Sequence, residues 1–160
     1  MAKLVLLIGG NMGDRRKNLA AATKQIHKRI GKIIRSSAYY ETAAWGNTDQ
    51  PDFLNQVLIA ETKKAASAVM QEILKIEEEL GRIRTVKNAP RLIDIDILFY
   101  DKEIHTEDAL SIPHPQIPNR RFVLVPLNEL MPNFKHPVLL KSIHELLLKC
   151  KDKLEVSKVS

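Results

Sequence analysis

Two aspartates, Asp94 and Asp96, interrupt an otherwise apolar stretch, APRLIDIDILFY, at residues 89–100. Side chains of a strand alternate between faces, so the two carboxylates share one face while Ile93, Ile95 and Ile97 take the other. At a rise of about 3.3 Å per residue, their Cα atoms lie roughly 6.6 Å apart. Carboxylates leaning to about 5 Å repel by roughly 3 kcal/mol at an effective dielectric near 20. Such a pair suits a hard cation: magnesium takes one or two carboxylates, keeps waters, and draws its other ligands from substrate phosphates. Two ions about 3.5–4 Å apart fit between side chains spaced this way. The plain alternative is the solvent face of an exposed strand, each aspartate paired with a lysine or arginine. Asp is disfavoured in strands, which weighs toward the cation.

Arg82, Arg84 and Arg91 precede this strand, with Lys87 among them, and Arg120 and Arg121 follow it. A guanidinium grips phosphate oxygens with two parallel hydrogen bonds. Each arginine taken alone reads as a solvated surface charge, but together with the carboxylates they have the charge pattern of a metal–triphosphate site. Other signatures are absent. No glycine-rich loop ends in Lys-Ser or Lys-Thr, and IGGNMGD lacks the dinucleotide spacing. The five histidines show no zinc spacing, and Cys150 falls on an apolar helical face as a core residue.

A net charge of +6 and a pI near 9.5 favour anionic partners. One Trp, three Tyr and four Phe, none interleaved with basic residues, make a poor nucleic-acid stacking platform. No apolar run approaches the roughly 20 residues of a membrane span. The opening MAKLVLLIGGN reads as a buried strand rather than a secretory signal, and a single cysteine fits a reducing compartment. The expectation is a cytoplasmic, monomeric protein with neither nucleic acid nor membrane as partner. Its length suits a single domain, 1–160.

The elements that must position these residues follow from periodicity and caps. Leu4–Ile8 reads as a strand ending at Gly9-Gly10. Asp14 caps a helix with Leu19, Ala22, Ile26 and Ile30 on one face, closed by Gly31. KIIRSSAYYET and FLNQVLIAET read as strands around a turn-rich segment. A second helix carries Ala66, Val69, Ile73, Ile76 and Leu80 and ends at Gly81. The aspartate strand comes next, then a proline-rich loop and a short helix through FVLVPLNEL. Ser142 and Glu145 form a capping box for a last helix, and the basic tail reads as frayed. Strand, helix, strand, strand, helix, strand is the ferredoxin-like order: an α+β fold with an antiparallel-rich sheet and helices on one face. The extra C-terminal helix is expected to cover part of the other face.

GRIRTVKNAPRLIDIDIL resembles the signature of the 6-hydroxymethyl-7,8-dihydropterin pyrophosphokinases of folate biosynthesis. LIGGNMGD, YYETAAWG, QPDFLNQV and IPHPQIPNRRFVLVPL resemble further motifs of that family, in the same order along nearly the whole chain. The resemblance implies a ferredoxin-like three-layer sandwich. It also implies a diphosphokinase that moves pyrophosphate from ATP to the pterin hydroxymethyl oxygen and leaves AMP.

By the same resemblance, Asp94 and Asp96 hold two magnesium ions, and Arg82 and Arg91 are catalytic on the triphosphate. Arg84, Ile97, Ser111, His114 and Arg120 fall on the nucleotide side. Thr42, Trp45, Phe53, Asn55 and Phe122 fall on the pterin side, with the two phenylalanines sandwiching the ring. Glu77 borders a helical apolar stripe and reads either as a nucleotide-side carboxylate or as a solvent-edge residue. Asn88-Ala89 stand where the family often has Trp-Gly, and Gly10 where it has Ser. Two other readings share parts of the pattern. A different magnesium-dependent phosphoryl or nucleotidyl transferase would need the aspartates and arginines but not Phe53, Asn55 and Phe122. A non-catalytic RNA-binding module would use only the basic charge.

Overall fold

The computed structural model describes residues 1–43, 51–81, 92–107 and 109–159. The chain runs β1 (Ala2–Gly10), α1 (Arg15–Arg29), β2 (Lys32–Ser36), β3 (Tyr39–Thr42), β4 (Phe53–Thr62), α2 (Ala66–Glu79) and β5 (Asp94–Tyr100). A short hairpin, β6 (His105–Glu107) and β7 (Leu110–Ile112), leads through a 3-10 turn to α3 (Arg121–Leu130), α4 (Ile143–Lys149) and β8 (Ser157–Val159). The main sheet has the order β5-β1-β4-β3-β8, with β2 beside β3 along the same edge of β4. All its ladders are antiparallel.

Alternation along the strands gives each face its own core. Leu4, Leu6 and Ile8 of β1, Leu54 and Leu58 of β4, and Ile95 and Ile97 of β5 pack under Leu19 and Ile26 of α1 and Val69, Ile73 and Ile76 of α2. Val5 and Leu7, Val57 and Ile59, and Leu98 and Phe99 pack under Val123, Leu124 and Leu127 of α3 and Ile143 and Leu146 of α4. Each fully buried Leu or Ile contributes about 1.5–3 kcal/mol relative to exposure. The result is an α+β sandwich of three layers, as the family resemblance implies, with both C-terminal helices on the second face.

The Asp14 side chain accepts from Lys17 N at 3.1 Å, and Ser142 and Glu145 make the reciprocal capping box, both as expected. Gly81 ends α2 at φ +91°, the left-handed conformation a helix-ending glycine supplies. Gly31 has a different reason. A Cβ there would run into the Glu61 backbone of β4, so the glycine permits close approach rather than a left-handed turn.

Three expectations are corrected. KIIRSSAYYET is two strands, because Ser37 leaves the ladder: its hydroxyl accepts from Val57 N at 2.9 Å. The β6–β7 hairpin carries no periodic pattern long enough to read. The tail is not frayed, since Ser157–Val159 adds a strand to the free edge of β3. Among the described residues, no helix is long and apolar enough to cross a membrane.

The turn between α3 and α4 is knotted by His136, which is 4% exposed. Its Nδ1 accepts from Val138 N at 3.1 Å and Leu139 N at 3.0 Å, so the neutral ring carries its proton on Nε2. Burial holds the imidazole pKa below its ordinary 6.5. Below that pH the unfolded chain takes up a proton that the native ring refuses, so this contribution to stability is lost as pH falls from about 6.5. The expected outcome is a drop in melting temperature from pH 7.5 to 5.5 that is smaller in His136→Asn, which keeps an acceptor and cannot titrate. Equal drops in the two proteins contradict the assignment.

Candidate active site

Antiparallel pairing lines up the site across three strands. Gly9 of β1 lies opposite Asn55 of β4 on one side and Asp94 of β5 on the other. Directly paired residues share a face, so Asp94, Gly9 and Asn55 form one row on the α3 side of the sheet. At two strand spacings, Asp94 and Asn55 have Cα atoms roughly 10 Å apart. Gly9 contributes no side chain between them. A Cβ at this position would collide with Asn55 Oδ1, so the amide lies over the glycine. Asn55 is 4% exposed, and its Nδ2 has no hydrogen-bond partner among the described residues. A buried unpaired donor costs about 1–3 kcal/mol until something accepts from it.

Asp96 lies one step along β5 on the same face, opposite Leu7. Both aspartates are half-buried while Ile93, Ile95 and Ile97 are buried on the other face, as alternation requires. Glu77 is 2% exposed, which removes the solvent-edge alternative. Its Oε2 accepts from Ile95 N at 2.8 Å, between the two aspartates, so it pins the outer edge of β5 from α2. This bond ties α2 to the strand that carries both aspartates. The Ile97 side chain, 4% exposed, belongs to the α1–α2 core. Only its backbone, on the same outer edge as Ile95, faces away from β1.

His114 and Arg120 come from the segment that leads into α3, and His114 N donates to Leu98 O of β5 at 3.1 Å. Burial lowers the His114 pKa, the Arg120 guanidinium pushes the same way, and Asp94 opposes them. Those influences put all three groups in one neighbourhood. His114 Nδ1 accepts from Gln116 N at 3.1 Å, so the neutral ring presents an Nε2–H donor. Arg120 lies 5.8 Å from the centre of the Phe122 ring, at the start of α3. Ser111 is exposed on β7 and shares with His114 the lining of a cavity of about 330 Å³ beneath the hairpin. Neither aspartate, nor Asn55, nor Phe122 lines that cavity.

Phe53 and Asn55 share a face on β4, and Thr42 of β3 lies opposite Phe53. Both ends of the connection from β3 to β4 are held by the N-terminal segment. Asn11 Nδ2 donates to Pro51 O at 3.2 Å, and Arg15 donates to Asp52 O at 3.0 Å and bridges Glu41 at 2.7 Å. Trp45, Arg82, Arg84 and Arg91 lie outside the described residues, as do Asn88 and Ala89.

The model of the 7,8-dihydro-6-hydroxymethylpterin-pyrophosphokinase (HPPK) family matches residues 5–132. The chain belongs to this family. It is 39% identical to a 2-amino-4-hydroxy-6-hydroxymethyldihydropteridine pyrophosphokinase of Aquifex aeolicus over 91% of its own length and 90% of that protein. It is 37% identical to the folic acid synthesis protein fol1 of Schizosaccharomyces pombe, over 89% of this chain but 20% of that longer one. Wild-type HPPK-DHPS of Plasmodium falciparum superposes with a TM-score of 0.72 over 93% of this chain and 43% of that one. At 23% identity that likeness shows the fold. The chain is thus an enzyme, a pyrophosphokinase, and the RNA-binding module is set aside.

Reading the sequence for chemistry missed Gly9, Asn11 and Arg15. A signal was present, since Val5, Leu7, Gly9 and Asn11 continue one alternating face of β1 and change from aliphatic to small and polar. The Gly9–Asn55 contact can be tested alone. Gly9→Ala is expected to cost about 1–3 kcal/mol of unfolding free energy in urea, as overpacking does. The same substitution is expected to cost less than half as much in an Asn55→Ala background, where the colliding oxygen is gone. Equal costs in both backgrounds would show that the methyl meets something else.

Proposed function

We propose that this pyrophosphokinase transfers the terminal pyrophosphoryl group of ATP to the hydroxymethyl oxygen of 6-hydroxymethyl-7,8-dihydropterin, with residues 1–160 as its single catalytic domain. Family membership supports pyrophosphoryl transfer in folate synthesis. The observation that carries the residue roles is the row Asp94–Gly9–Asn55, a carboxylate and a buried unpaired amide that lies over the glycine between them. The amide awaits a polar heterocyclic edge, and Phe53 and Phe122 supply apolar faces for the ring. Thr42 and Trp45 complete this side.

Asp94 and Asp96 would hold magnesium. The donor set fits: two hard carboxylates on one face, and among the described residues no cluster of three or more His, Cys, Asp or Glu. Magnesium characteristically takes few protein ligands and fills its shell from water and phosphate. When bound, it would neutralise phosphate charge and lower the pKa of the acceptor hydroxyl. Arg120 and the neutral Nε2–H of His114 would meet the triphosphate beside Asp94, with Arg82, Arg84 and Arg91 joining from the segment before β5. Ser111 and the Ile97 backbone would flank the nucleotide, and Glu77 would keep the β5 edge in register. The acceptor oxygen bonds to the β-phosphorus as the bond to the α,β-bridging oxygen breaks. AMP leaves with that oxygen, and the hydroxyl proton is released to solvent. Such a transfer needs alignment and charge neutralisation more than a strong base. The lone cysteine supports a cytoplasmic setting, and the enzyme would act as a monomer without nucleic acid or membrane.

Nucleotide chromatography tests this reading. AMP is expected as the sole nucleotide product, formed one for one with pterin consumed and scarcely at all without the pterin. ADP, or free pyrophosphate formed in step with pterin loss, would overturn it. Asp94→Asn and Asp96→Asn are each expected to lower turnover at least about a hundredfold, the scale of losing one preorganised electrostatic group. Near-normal turnover at saturating magnesium would remove the aspartates from the site.

A further inference from the structure

The last residues of the chain touch both walls of the proposed pterin subsite. One wall is the start of α3, which presents Arg120 and Phe122. That helix has no side-chain cap of its own, since Arg120 at its N-cap position makes no capping bond. The cap arrives from 31 residues later: Asp152 Oδ2 accepts from Arg121 N at 2.9 Å. Its other oxygen, Oδ1, accepts from Leu154 N at 3.0 Å, which fixes the turn of the tail. A carboxylate here meets orphan N–H groups and the positive end of the helix dipole.

The other wall is β3 with its neighbour β4. Three residues beyond Asp152, the backbone oxygen of Glu155 accepts from Thr42 Oγ1 at 3.2 Å. The chain then pairs as β8 along β3, Ser157 with Glu41, Lys158 with Tyr40 and Val159 with Tyr39. Val159 packs on the α1–α2 core, which anchors the far end. Thr42 is in turn paired with Phe53. Residues 152–159 thus tie the Phe122 wall to the Thr42–Phe53 wall. They lie beyond the segment that the family model matches.

From this we infer that Asp152 is a positioning residue for the pterin subsite and that the 152–159 strap sets the spacing of its two aromatic walls. The inference rests on the functional reading above. A planar ring held between two walls is sensitive to their separation, whereas the triphosphate is proposed to rest mainly on Asp94, Asp96 and His114 of the β5 side, with Arg120 beside the strap's anchor at Arg121. A strap that served only overall stability would lower the melting temperature without favouring one substrate.

The test measures binding of 6-hydroxymethyl-7,8-dihydropterin by fluorescence, with a non-hydrolysable ATP analogue and magnesium present, and analogue binding separately. Asp152→Ala is expected to raise the pterin Kd about five- to tenfold, the worth of a helix cap. Analogue Kd and kcat at saturating pterin should move less than twofold. Asp152→Asn, which keeps an acceptor oxygen, should recover most of the affinity. Lys158→Pro, which breaks the β8 ladder and leaves Asp152 intact, should weaken the pterin in the same selective way. An unchanged pterin Kd in Asp152→Ala and Lys158→Pro, or equal losses for both ligands, would overturn the strap. Failure of the wild-type protein to bind the pterin would instead overturn the functional reading beneath it.

Discussion

One missing side chain organises this molecule. β1 runs between β5 on one side and β4 on the other, and its Gly9 lies between a carboxylate and a buried amide. Any side chain there would collide with the Asn55 amide that lies over the glycine. The spacing between the two proposed subsites is therefore set by backbone hydrogen bonding, two strand spacings at roughly 10 Å. Backbone ladders fix such a distance more rigidly than loops, so the reacting groups can be aligned before either substrate arrives.

That arrangement stores unfavourable interactions. Two carboxylates face the same way on β5, and the Asn55 amide is buried without a partner among the described residues. Surrounding contacts hold them in place. Glu77 grips the β5 backbone between the aspartates, His114 N binds the same strand, and Asn11 and Arg15 secure the approach to β4. Burial and Arg120 keep His114 neutral, so it offers a donor without adding to the positive charge of the arginines. The cost at Asn55 disappears when a ligand accepts from its amide.

Local rules made much of this legible in the sequence. The same-face aspartates follow from the period of a strand, the Asp14 cap and the Ser142–Glu145 box from short-range hydrogen bonding, and the α+β sheet with α1 and α2 on one face from the order of periodic segments. The third layer came from the family resemblance. What was not legible depends on partners distant in sequence. Ser37 breaks a strand because Val57 uses its hydroxyl, and Gly31 is glycine because Glu61 passes close by. Glu77 is buried because Ile95 lies above it. The tail is ordered because β3 offers a free edge and α3 lacks its own cap, neither of which shows in residues 151–160. The roles of Phe53, Asn55 and Phe122 came from family resemblance; periodicity placed only the first two on one face.

Metal and pterin are proposed to sit at opposite ends of one sheet row, separated by Gly9. Manganese substituted for magnesium, with a non-hydrolysable ATP analogue and the dihydropterin bound, lets paramagnetic relaxation report the distance from metal to pterin protons. Strong relaxation is expected, with the pterin protons within two strand spacings, about 10 Å, of the metal. This enhancement is also expected to vanish in Asp94→Asn/Asp96→Asn. Pterin protons lying four strand spacings away or more, about 19 Å, would contradict this arrangement.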